Sequence, residues 1–102
     1  MPFKKALDYD LVYESQETGE FISVHVDLHV SADDNLELVL ETESLPDLSE
    51  VNEILRMIRG NKLGKLGFSI WDDFKITIKV DEKSYIVLTD NETLDATNVL
   101  EV

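Results

Sequence analysis

Apolar and polar residues alternate with period two over three stretches near the start of the chain. Leu7, Tyr9, Leu11 and Tyr13 alternate with Asp8, Asp10, Val12 and Glu14. Ile22, Val24, Val26, Leu28 and Val30 alternate with Phe21, Ser23, His25, Asp27 and His29, and Leu36, Leu38 and Leu40 with Glu37, Val39 and Glu41. Side chains on a strand point to opposite faces in turn, so each stretch reads as a strand with one buried and one wet face. Glu17-Thr18-Gly19-Glu20 and Asp33-Asp34-Asn35 supply the turns between them. The pattern predicts an antiparallel meander with one acidic face.

The period then changes. Leu48, Val51, Ile54, Leu55 and Ile58 follow helical spacing, which predicts an amphipathic helix over about 48–59. Asp47 is placed to cap its N-terminus with Glu50 as the reciprocal partner three residues on. Gly60 offers a left-handed stop, and Arg56 and Arg59 suit the negative end of the helix dipole.

Strand patterns return afterwards. Leu66, Phe68 and Ile70 oppose Gly67, Ser69 and Trp71; Phe74, Ile76, Ile78 and Val80 alternate with Lys75, Thr77 and Lys79; Tyr85 to Thr89 forms a third run. Residues 91–102 fit either a strand or a short helical tail. The expected fold is a single α+β domain over 1–102: a curled antiparallel sheet of about six strands with one amphipathic helix, in the order βββαβββ. Six strands about 4.8 Å apart make a sheet nearly 30 Å wide, whereas a helix is only about 10 Å wide. The sheet must therefore curl around the helix or pair with a second copy as a homodimer. Curling places Leu48, Val51, Ile54, Leu55 and Ile58 on Val24, Val26, Leu38, Leu40, Phe68, Ile76 and Ile78.

Charge changes what such a domain can meet. The chain has 102 residues, with 22 acids against 9 bases and a formal charge of −13. Residues 1–47 hold 12 acids and 2 bases, residues 48–80 hold 4 and 6, and residues 81–102 hold 6 and 1. A surface this acidic disfavours phosphate and anionic lipid, so direct nucleic-acid and membrane partners are not expected. No apolar run approaches the roughly 20 residues of a membrane span, and none follows Lys4 and Lys5 as in a signal peptide, so a cytoplasmic location is expected. The absence of cysteine excludes disulfides, thiolate metal sites and a thiol nucleophile.

Candidate chemistry is sparse. His25, Asp27 and His29 share a strand face, but histidines at i and i+4 lie about 13 Å apart, too far for one ion. A metal would need one histidine, Asp27 and a ligand from the next strand such as Glu37 or Glu41. The expectation is a solvated polar row, with no metal or other cofactor. Gly60-Asn61-Lys62-Leu63-Gly64-Lys65-Leu66-Gly67 lacks the glycine spacing and the Ser/Thr of a phosphate loop. The acidic turns lack the ligand pattern of a calcium loop. Ser69 lacks the glycine frame of a nucleophile elbow, and no enzyme activity is expected.

Trp71, beside Asp72 and Asp73, has the composition of an interface anchor ringed by carboxylates. The leading reading is a non-catalytic inhibitor or immunity-type protein that covers a basic protein surface, with nucleic-acid mimicry as a variant. Its candidate partner-binding residues are Asp27, Glu37, Glu41, Trp71, Asp72 and Asp73. The alternatives are a self-associating structural or phage- or plasmid-encoded subunit and a small-molecule or metal-binding domain.

Overall fold

The computed structural model describes residues 3–15, 18–31, 35–60 and 74–102. Three strands, β1 (Phe3–Glu14), β2 (Phe21–Ser31) and β3 (Leu36–Thr42), precede the helix α1 (Leu48–Ile58). Three more follow it: β4 (Lys75–Val80), β5 (Lys83–Thr89) and β6 (Ala96–Glu101). The six strands form one open sheet in sequence order, with β1 and β6 at its edges.

The order βββαβββ is as expected, but the sheet is mixed: β3 and β4 run parallel, pairing Leu38 with Ile76 and Leu40 with Ile78. A parallel pair needs a long crossover, and the segment carrying α1 supplies it. The antiparallel expectation rested on short turns between alternating strands, and the strand expected at 66–71 lies outside the described residues. Residues 96–101, whose sequence left strand and helix open, form the edge strand on β5.

One face of the sheet packs on the helix. Val24, Val26, Leu28, Leu38, Leu40, Ile76 and Ile78 meet Val51, Ile54, Leu55 and Ile58 in the core. Leu48 does not join them and remains 40% exposed. At 100° per residue it sits roughly 70° from the centre of the apolar stripe, on the first turn. Phe68 lies outside the described residues, while Phe74 is buried under Arg59, whose guanidinium is 4.8 Å from the ring centre.

The helix starts as its sequence dictates. Asp47 accepts a bond from the Glu50 N–H at 2.9 Å, and the Asp47 N–H donates to Glu50 Oε1 at 3.2 Å. Its end differs from expectation. Gly60 does not adopt a left-handed conformation, and the Arg59 N–H instead donates to the carbonyls of Leu55 and Arg56.

Two tethers show the curl. Tyr13 on β1 donates to Glu50 Oε2 at 3.2 Å, and on β6 the backbone of Ala96 is bonded by Asn52. Residues 50 and 52 lie on opposite flanks of the helix, so one helix touches both edges of a sheet that would be more than twice its width if flat. Burial and the Glu50 charge raise the Tyr13 pKa, keeping its hydroxyl a donor.

Candidate functional site

The face turned away from α1 carries the side chains that the core does not use. Register fixes their neighbours. From Leu7–Leu28 to Glu14–Phe21, β1 and β2 pair symmetrically about positions 17 and 18, which sets Asp8 opposite Asp27 and Asp10 opposite His25. On the other side of β2, His25 faces Glu41 and His29 faces Glu37. Glu37 and Glu41 in turn face Lys75 and Lys79 on β4.

The result is a cluster centred on His25. Its Nδ1 lies 2.8 Å from Asp10 Oδ1, and its Nε2 lies 2.8 Å from Asp8 Oδ1 and 3.7 Å from Asp27 Oδ2. The Asp27 side chain is 15% exposed, against 72% for Asp10. The hydrogen bond to Asp10 and the negative charge of Asp8 and Asp27 raise the His25 pKa, against the opposing effect of desolvation. The imidazole thus stands among three carboxylates, those of Asp8, Asp10 and Asp27. Asp8, His25 and Asp27 each place one potential metal-ligand atom within 4.8 Å of the others.

These positions revise the expected pairing of the polar row. His25 and Asp27 are in the cluster, but the added carboxylates come from β1, whereas Glu37 and Glu41 on β3 face lysines. Asp8 and Asp10 do not stand out in the sequence, because alternation within one strand carries no information about its neighbour. The signal that finds them is the short turn: a hairpin folded about positions 17 and 18 brings both aspartates onto His25 and Asp27. Trp71, Asp72 and Asp73 lie outside the described residues.

The far end of the same face is apolar. Ile86 on β5 pairs with Leu100 on β6, and Leu88 lies two residues along. They are 37%, 47% and 43% exposed, and Val102 continues the row at 79%. The edge next to them is partly closed by side-chain amides. The Ala96 N–H donates to Asn52 Oδ1 at 2.7 Å, Asn52 Nδ2 donates to the Ala96 carbonyl at 3.2 Å, and the Val99 N–H donates to Asn98 Oδ1 at 2.9 Å. Backbone groups bonded in this way do not offer a template for another strand.

The concave face is filled by the helix and the core. A separate groove of about 400 Å³ runs between the end of α1 and the loop before β6, lined by Leu55, Arg56, Arg59, Glu92, Leu94 and Asp95 among others. Among the described residues, no helix is long and apolar enough to cross a membrane. Compared with protein-family models, curated proteins and solved structures, the chain matches none of them.

Proposed function

We propose that the protein is a non-catalytic interaction module that meets a basic protein partner through the outer face of its sheet. The observation that carries this reading is the composition of that face. Carboxylates gather at β1 and β2, and Ile86, Leu88 and Leu100 stand exposed at β5 and β6. Long-range attraction to a basic surface steers encounter, and desolvated apolar side chains hold the complex once formed. An inhibitor or immunity-type role, with the module covering a basic working surface, uses both parts.

The same apolar row also favours a second reading, self-association face to face. Two copies each carrying −13 repel, and the amide-capped start of β6 is unsuited to edge pairing. These observations support the basic partner over a second copy.

The test is capture of partners by immobilised protein, followed by association and dissociation rates for the captured protein over a range of salt. Replacing Asp8 and Asp10 by Lys should slow association and flatten its salt dependence. Leu100→Ser should speed dissociation with little effect on association. A partner bound equally well by both variants overturns the reading. A chain that runs as a dimer at micromolar concentration, and becomes a monomer with Leu100→Ser, moves the assignment to self-association.

A further inference from the structure

We propose that Asp8, His25 and Asp27 bind one divalent first-row transition-metal ion, with Asp10 as the positioning residue that orients the imidazole. The inference is independent of any protein partner. It rests on three features of the hairpin.

The first is spacing. Ligand bonds of about 2.0–2.2 Å place the donor atoms of one ion about 3–3.5 Å apart. His25 Nε2 lies 2.8 Å from Asp8 Oδ1 and 3.7 Å from Asp27 Oδ2, and all three ligand atoms lie within 4.8 Å of one another. Small rotations of the two carboxylates are enough to close on an ion.

The second is the use of the other ring nitrogen. His25 Nδ1 is held at 2.8 Å by Asp10. A metal-bound histidine ordinarily gives its second N–H to a carboxylate or carbonyl, which fixes the tautomer and makes the free nitrogen a better ligand. Here that bond already aims Nε2 at Asp8 and Asp27. In the metal-free protein a proton on Nε2 bridges to Asp8; on binding, the ion takes that place and the proton passes to solvent.

The third is the scaffold. All four side chains project from paired strands, and a site on strands is held more accurately than one on loops. The low exposure of Asp27 restricts its carboxylate further. One imidazole with two carboxylates and no thiolate suits zinc, manganese, iron(II) or cobalt better than magnesium or calcium, which take oxygen ligands alone. Three protein ligands leave a coordination position for water or for a ligand from another molecule.

The experiment is calorimetric titration of the full chain with zinc chloride, alongside the imidazole NMR signals of both histidines. One ion should bind per chain, and the His25 ring signals should shift with saturation while those of His29 stay. His25→Ala or Asp27→Asn should weaken binding by about 100-fold or more, and Asp10→Asn by about 10- to 100-fold with the 1:1 ratio kept. Glu82→Gln, in the distant turn after β4, should change nothing. Equal binding by His25→Ala and the unaltered protein overturns the site. So does a wild-type titration in which both histidines shift alike without saturating at one ion, a result that needs no variant to fold.

Discussion

The two ends of the outer sheet face solve the same problem in opposite ways. Both lack a covering layer among the described residues. Along β1 and β2 the middle of this stretch is filled by Asp8, Asp10, His25 and the less exposed Asp27, which gather around the imidazole, while Val12 and Phe21 stand exposed nearer the turn. At β5 and β6 they are filled by Ile86, Leu88 and Leu100, which leave apolar surface in water. Between them, Glu37 and Glu41 face Lys75 and Lys79, so the middle of the face is close to electrically balanced. The acidity of the whole chain therefore does not spread evenly over this face. It is concentrated at the end where the carboxylates surround a histidine, and it is absent where the apolar row lies.

The largest test asks whether the two ends share one folding unit. Ile54 is fully buried between α1 and the sheet, so Ile54→Ala should destabilise by about 2–5 kcal/mol. Hydrogen exchange should rise together in β2 and β5. Exchange that rises at one end alone would show that the ends are separable.

The two tethers separate the edges at lower cost. Asn52→Ala removes both bonds to the Ala96 backbone and should cost about 1–3 kcal/mol, with exchange rising mainly in β6. Tyr13→Phe removes the bond to Glu50 and should cost about 1 kcal/mol, with exchange rising mainly in β1. Loss of protection at the opposite edge in either variant would contradict the assignment of one tether to each edge.

The middle of the face gives a smaller effect. Glu37→Lys with Glu41→Lys puts like charges across from Lys75 and Lys79. Each pair should cost about 0.2–1 kcal/mol, read as a lower thermal midpoint that partly recovers in high salt. An unchanged midpoint at low salt would mean that the cross-strand charges do not interact.

The smallest effects are in pH dependence, and they have opposite signs. His25 has a raised pKa, so its contribution is fully present below its ordinary value of 6.5 and is lost as pH rises through the folded-state value. Asp90 has a lowered pKa because its carboxylate accepts the N–H groups of Thr93 and Glu92. Its contribution is present above the ordinary value of 3.8 and is lost as pH falls through the folded-state value. In metal-free protein, NMR should find the His25 midpoint above 6.5, falling in Asp10→Asn. Asp90→Asn should flatten the acid limb of stability and leave the His25 midpoint unchanged.

Alternation and helical spacing alone determined β1, β2, β3, α1, β4 and β5, because the burial that sets those periods repeats within a few residues. The Asp47–Glu50 cap was legible for the same reason, its two partners being three residues apart. The candidate site was half legible. His25 and Asp27 share a face by parity on one strand, but Asp8 and Asp10 reach them only through pairing across a turn.

Tertiary structure alone decided the rest. The parallel pairing of β3 with β4 depends on where the crossover returns the chain, which no local period records. The strand at 96–101 has a weak pattern because it is an edge, with Ala96 inward and Asn98 and Leu100 outward, and it is held by Asn52 from 44 positions away. The placing of Glu37 and Glu41 opposite Lys75 and Lys79 and the crowding of three carboxylates around His25 follow from register between strands. Register is a property of pairs of segments: each segment carries half of the information, and only packing against the common helix selects which halves meet.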